Sequence, residues 1–499
     1  MGAPPRSVII LGGGTAGWMT ANLLRRRWGE RGTEISLIES SAIGIIGVGE
    51  GSTPQLKAFF DTLGIAEAEW MPRCNATYKG GIEFVGWSDR PGCERYFHPF
   101  PTDVDHFTQG QFFYSTRARR TGSDVPAHPD PFFVQTRVVR EGRAPIAPPN
   151  FPFGVSYSYH FDAHLIGAFL TDFGTARGIR HVDAKIGSVE LNEEGDVKAL
   201  VGEDGRRFEA DFFVDASGFR AAIIEGALKE PHRPFKENLF NDRAVVAATP
   251  LPKEGIQACT RSIAKSAGWI WNIPLTNRIG NGYVYSSRYI DPDDAAAEFR
   301  EHLGLTVDAE VRELKMRCGR IERSWVRNCL AVGLAQGFLE PLEATALHIV
   351  VNTVESFLDA FEDGRRDEFN TGIARRYEGI RDYLVCHYRS AQRSDTEYWR
   401  DATRHDALSD SLKGVFSAWF RGQDLEQEII RQDIGQFYLP MSWHCMLAGY
   451  GNFPGAEQLK PPSPEVVQFD MADVERFVSG CAMNFPPLPE ALERLQETE

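Results

Sequence analysis

Gly12, Gly14 and Gly17 follow the apolar run Val8-Ile9-Ile10-Leu11 at G-x-G-x-x-G spacing, and this restricts the chain's start more than any other feature. Ser7 to Leu11 suits a short strand buried on both faces. The spacing predicts a helix over Thr15 to Arg27 and a second strand over Glu34 to Ile38, ending at Glu39. In such a unit Gly12 permits a tight turn, Gly14 lets a pyrophosphate reach the backbone, and Gly17 lets helix and strand pack closely. The helix start, Thr15 and Ala16, offers free N–H groups and a partial positive charge to phosphate. Glu39 is placed to bind ribose hydroxyls. The unit reads as dinucleotide-binding and by itself does not separate FAD from NAD.

Two later segments favour FAD. Asp211 to Gly218 is an apolar strand ending in Asp215 and small residues, after a β-rich stretch with turns at Gly195-Asp196 and Asp204-Gly205. Cys329 to Gly333 is a third such strand, and Gly337 to Ala346 leads into a helix expected from about Thr345 to Phe361. That helix start is a second anion site, or simply a capped helix.

Trp269-Ile270-Trp271-Asn272-Ile273-Pro274 is an uncommon strand. With a side-chain period of 2, Trp269, Trp271 and Ile273 share one face, and Pro274 ends or edges the strand. Such a wall of indoles lines a core or a cavity.

The net charge of -15 argues against nucleic acid and anionic membranes as partners. There is no apolar run long enough to span a bilayer. The eight cysteines lack metal spacing, so no metal is expected, and free thiols in a cytoplasmic setting are.

Taken together, these motifs resemble those of flavin-dependent halogenases of the tryptophan-halogenase type. The resemblance rests on Gly12–Gly17 followed by Trp18, on Gly47-Val48-Gly49-Glu50-Gly51-Ser52-Thr53-Pro54, and on Lys79 within Tyr78-Lys79-Gly80. Trp269 to Pro274 and Leu339 to Ala346 complete it. It implies an α/β fold: an FAD-binding Rossmann-like lobe, as in single-component monooxygenases, with a mostly helical C-terminal substrate lobe. Gly12, Gly14, Thr15, Ala16, Gly17, Glu39, Gly49, Glu50, Asp215, Gly333 and Leu342 would bind the cofactor. FADH2 from a separate flavin reductase would react with oxygen and a halide, chloride or bromide, to give hypohalous acid. The halide would sit against Thr345 and Ala346. Lys79 would hold the oxidant and Glu343 would orient it or take the proton from the aromatic substrate. Trp269, Trp271, Ile273 and Pro274 would line the passage between flavin and substrate. Lys79 serves either as a neutral amine, which needs strong desolvation, or as a charged hydrogen-bond donor, which the nearby Glu343 favours.

The resemblance weakens at the substrate end. Tryptophan-specific members carry Ser where this chain has Ala344, and a late Tyr-Tyr pair and Glu that grip the amino acid. Here the late segment reads Ser442-Trp443-His444-Cys445. An indole-type substrate other than free tryptophan is expected, held by His98, Phe100 and Trp443. A single-component FAD-dependent aromatic hydroxylase is the alternative, and a non-catalytic flavin-binding protein a third reading.

The flavin lobe is expected over residues 1–360, drawn mainly from 1–60, 155–245 and 280–360. Inserted into it are an active-site segment, 77–154, and the tryptophan wall, 262–278. Residues 361–499 are expected to be mostly helical. The prolines of the 77–154 segment, densest from Pro126 to Pro152, predict loops and strands without long helices. The oligomeric state, monomer or homodimer, is left open.

Overall fold

The computed structural model describes residues 3–42 and 49–497; Gly47 and Val48 of the 47–54 motif lie outside the described residues. The strand Ser7–Leu11 lies inside a six-stranded sheet. It pairs in parallel with Glu34–Glu39 on one side and Phe212–Asp215 on the other. Arg180–Asp183 and Cys329–Ala331 extend the sheet in parallel, and the short antiparallel Trp325–Val326 ends it. Its continuous apolar run follows from burial on both faces. Val8 and Ile10 enter the main core, while Ile9 and Leu11 enter a second cluster with Ile186, Val197 and Phe213. Helix Thr15–Trp28 covers the first face through Trp18, Leu23, Leu24 and Trp28. A three-stranded meander, Ile186–Leu191, Val197–Gly202 and Arg207–Glu209, carries Ile186, Val197 and Leu200 of the second cluster.

A seven-stranded sheet carries the tryptophan wall. Strand Gly268–Pro274 is flanked by Ile279–Tyr285 and Thr260–Lys265, so it is central rather than an edge. Pro274 is its last residue, where a missing N–H costs no interior ladder bond. Trp269, Trp271 and Ile273 enter the main core. Ile270 faces the other way, against Val245, Tyr283 and Phe299. Trp271 lies opposite Gly282, where an added Cβ would stand 2.1 Å from the indole Cζ2. The absent side chain is what lets the ring lie across the neighbouring strand.

A further, three-stranded sheet has Ser158–Asp162 between Gly49–Gly51 and Thr77–Lys79. The chain then crosses at Gly80 into the strand Gly81–Val85 of the seven-stranded sheet. Gly80 is held on both sides, donating to Ala258 O at 2.7 Å and accepting from Phe100 N at 2.8 Å.

The 77–154 segment differs from expectation. It contains a 15-residue helix, His106–Arg120, besides the shorter Val134–Arg140. The prolines deter helix only where they stand, and residues 102–125 contain none. Beyond residue 363 the regular elements are helices, from the 25-residue Arg366–Ser390 to Leu488–Gln496. Asp410–Phe420 matches its apolar spacing, and Met471–Ala482 contains the expected 474–480 stretch. The main core runs without a break from Val8 and Trp269 to Tyr383, Trp443 and Val478. The cysteines are free, and no helix among the described residues is long and apolar enough to cross a membrane.

Gly282→Ala should force Trp271 off its resting place, an overpacking effect of about 1–3 kcal/mol. A lowered midpoint in thermal or urea denaturation checks this; an unchanged midpoint contradicts it.

Candidate active site

Lys79 stands at the corner where the small sheet meets the seven-stranded one. The side chain has no exposed surface, and its Nζ donates to Ser52 O at 2.9 Å. Phe100 presents its ring 5.5 Å from that nitrogen. Burial lowers the lysine pKa to about 8 against the opposing charge of Glu343. Below it runs a buried chain of hydrogen bonds. Thr77 donates to Pro274 O at 2.7 Å, tying the wall strand to the lysine strand. That proton is then unavailable to His160, so His160 Nδ1–H donates to Thr77 Oγ1 at 3.1 Å, and Nε2 accepts from Thr260 at 2.9 Å. Burial, with Lys79 nearby, holds His160 well below the usual histidine range, which suits this neutral tautomer. Gly51 completes the corner: a Cβ there would lie 3.4 Å from Lys79 Nζ and 3.1 Å from Thr260 Oγ1.

The Leu339–Ala346 segment delivers two buried glutamates, and consecutive residues of helix Arg366–Ser390 meet them. His387 Nε2 lies 2.9 Å from Glu343 Oε1, although the N–H is not aimed along the line of contact. Burial pushes the Glu343 carboxyl up. Contact with His387 and the charge of Lys79 help to outweigh this and hold it below the usual range. Glu340 Oε2 accepts from Tyr388, from Asn241 at 2.7 Å and from the Trp269 indole N–H at 3.3 Å. Burial raises its pKa against those hydrogen bonds. Glu340 thus anchors one ring of the wall, a task its sequence did not announce.

His98, Phe100 and Trp443 do not form one stack. Tyr383 intervenes, with its ring 6.3 Å from His98 and 4.8 Å from Trp443, and Tyr438 stacks on it at 3.5 Å. Burial lowers His98 to about 4, leaving it neutral. Tyr438 Oη, Trp443 Nε1 and Trp271 Nε1 are buried without a protein partner. No Asp, Glu, Lys or Arg occurs between Asp433 and Glu457, the stretch that contributes Tyr438 and Trp443. Tyr383, Tyr438 and His387 were missed because nothing local marks them; their meaning lies in packing against residues far away in sequence.

At the other end, the first helix begins at Gly14 with no side-chain cap and no acid in its first turn. A Cβ at Gly14 would meet nothing within 4 Å, so the space before the helix N-terminus is open, as a bound pyrophosphate requires. At Gly12 it would stand 2.2 Å from Ala216 O and at Gly17 2.0 Å from Gly12 O, so both serve close packing. Glu39 folds over Gly13 and pairs with His181 at 2.7 Å. Gly333, at φ 59, brings its Cα against Ala16; Thr15 and Leu342 are buried nearby in their own elements. Gly49 packs on Gly280, whose added Cβ would lie 3.2 Å from its Cα. Glu50, partly exposed as a residue, has its carboxyl enclosed, and burial with Asp162 pushes it up to about 7. Asp215 departs from expectation: both carboxylate oxygens are taken by the chain itself, through Ser217, Ile223 and Ile224. It holds a turn and has no oxygen free for a ligand. These surroundings fit a flavin dinucleotide mainly through backbone groups, with the Glu39 carboxylate beside Gly13. Before helix Ala346–Asp363, Ala344 adopts φ 54, Thr345 makes no side-chain cap, and the first turn carries no acid. Ala346 is exposed there, so the helix start presents N–H groups to an anion without a competing carboxylate.

The tryptophan halogenase family profile matches residues 7–461. Tryptophan 6-halogenase SttH of Streptomyces toxytricini is 37% identical over 95% of this chain and 93% of its own length. Its crystal structure superposes with a TM-score of 0.83 over 99% of this chain and 100% of that one, at 33% identity in the structural alignment. BrvH, a flavin-dependent halogenase from Brevundimonas sp. BAL3, gives 0.83 at 31% identity, covering 99% and 100%.

Glu340→Leu should strand three buried donors, at about 1–3 kcal/mol each, whereas Glu340→Gln keeps an acceptor and should lose less. Urea denaturation of both variants tests the anchor; a leucine variant as stable as the parent refutes it.

Proposed function

The chain belongs to the tryptophan halogenase family and is a flavin-dependent halogenase of an aromatic substrate, and we propose that it acts through Lys79 and Glu343 on an indole-type compound other than free tryptophan. It uses FADH2 from a separate flavin reductase, and chloride or bromide. The single-component hydroxylase reading is set aside, because the relatives matched over nearly the whole chain are halogenases.

Bound reduced FAD, with oxygen and halide, supplies the hypohalous acid that this chain's residues handle. Gly14, Thr15, Ala16 and Glu39 would hold the dinucleotide, and Thr345 and Ala346 the halide. The observation that carries the reading is the wholly buried Lys79 ammonium, within electrostatic reach of Glu343, where the wall strand is tied to the lysine strand. One of its three N–H groups is given to Ser52 O, leaving two for an oxidant. With a pKa of about 8, the side chain is roughly nine-tenths protonated at neutral pH. It therefore works as a charged hydrogen-bond donor to hypohalous acid. Glu343, held ionised, accepts the ring proton. Trp269, Trp271, Ile273 and Pro274 keep the organic substrate from the flavin side, and the C-terminal helices form the substrate lobe.

The late segment supports the substrate assignment. The orphaned Tyr438 hydroxyl and Trp443 indole N–H suit a neutral polar aromatic, and the 434–456 stretch has no carboxylate for an ammonium group.

The test supplies flavin reductase, NADH, FAD, oxygen and bromide or chloride with indole, tryptophan and simple phenols, and reads halogen isotope patterns by mass spectrometry. Indole should be halogenated in preference to tryptophan; equal or better turnover of tryptophan overturns the substrate assignment. Lys79→Ala should abolish halogenated product while flavin reoxidation continues. Loss of both would make Lys79 a folding or cofactor-binding residue.

A further inference from the structure

His387 has no exposed surface and no part in the chemistry above, yet it stands directly behind Glu343. Its ring is clamped: it stacks on Phe84 at 4.7 Å and 24°, and meets Tyr383 edge-on at 5.2 Å. Its Nδ1 lies 2.8 Å from the hydroxyl of Tyr450, itself buried. An ionised carboxylate only accepts hydrogen bonds, so the ring proton belongs on Nε2, facing Glu343. Nδ1 is then an acceptor, and the Tyr450 O–H donates to it. Tyr450 is hydrogen-bonded to His387, and His387 Nε2 stands 2.9 Å from Glu343 Oε1 without hydrogen-bond alignment, so three distant parts of the sequence meet in one buried row.

We propose that His387 is a positioning residue for Glu343, keeping its carboxylate ionised and turned toward Lys79, with Tyr450 fixing the imidazole tautomer. The proposal rests on the reading of Glu343 as proton acceptor. In that step the O–X bond of hypohalous acid breaks and a C–X bond forms. Oxygen leaves as hydroxide and takes a proton from the Lys79 ammonium to become water. The ring C–H bond then breaks, its electron pair returns to the ring, and its proton goes to Glu343. The step fails if Glu343 is already protonated, which burial alone would favour. The groups facing Glu343 are Lys79, Tyr96 and His98 from the sheets, Tyr383 and His387 from helix Arg366–Ser390, and Tyr438 and Tyr450 near helix Pro440–Gly449. Of the groups that favour its ionised form, His387 alone touches it, and its contact is the largest of the favourable effects.

The sign follows. Removing the His387 contact raises the Glu343 pKa, so activity that needs the carboxylate is lost from the acid side upward. Halogenation of indole would be measured in single turnovers with pre-reduced FAD across about pH 3.5 to 9, because the parental Glu343 limb lies below the ordinary carboxylate range. His387→Phe keeps the ring stack and removes the donor; its acid limb should move up by about one pH unit, a tenfold loss on that limb that higher pH restores. His387→Gln, which keeps an N–H donor, should recover most of the shift, and Tyr450→Phe should give a smaller shift in the same direction. A uniform rate loss with an unmoved acid limb in His387→Phe overturns the proposal. If that variant fails to bind FAD, an unmoved limb in Tyr450→Phe overturns it instead. Glu343→Gln separates the two ideas: if it keeps the parental rate and profile, the acceptor reading of Glu343 itself fails.

Discussion

An ammonium group withdrawn wholly from water is tolerated only where its N–H groups and its charge are met, and Lys79 is the point on which the rest of this structure depends. Its strand ends at a corner between two sheets, so its backbone is held by pairing on both sides of Gly80. Ser52 takes one of its protons, and Glu343 supplies the opposing charge. Burial still prevails and lowers its pKa to about 8. The result is a cation poised near neutrality inside an aromatic enclosure, suited to grip a small neutral oxidant.

Both flanks of that enclosure are fastened from behind by one helix. Tyr388 and His387 are neighbours in sequence, and they meet Glu340 and Glu343, which are three residues apart around a single tight turn. Glu340 passes the constraint to Trp269, and Thr77 passes it to the end of the same strand at Pro274. Wall and lysine are therefore positioned relative to one another through a few buried hydrogen bonds, and the Glu343 carboxylate by its close contact with His387.

Local chemistry was legible in the sequence. The glycine spacing at Gly12–Gly17, the strand period through Trp269 and Trp271, and the apolar spacing of Asp410–Phe420 each depend on near neighbours, and each appears where expected. What depends on distant packing was not legible. Glu340 and Glu343 look alike in a row of residues, and only the helix that meets them separates an anchor from the carboxylate proposed to accept the proton. Tyr383, Tyr438 and His387 sit in helical or turn sequence with no mark of the site they line. Asp215 ends its strand like a cofactor ligand, but its carboxylate is used up by the turn that follows. Helix His106–Arg120 was hidden by counting prolines over a whole segment rather than noting the proline-free stretch inside it.

The most direct test is a pH titration of the Lys79 side-chain nitrogen by NMR in selectively labelled protein. A midpoint near 8 is expected, moving lower when Glu343 is replaced by Gln, because its charge raises the lysine. A midpoint at the ordinary lysine value, unmoved by that replacement, would contradict the account.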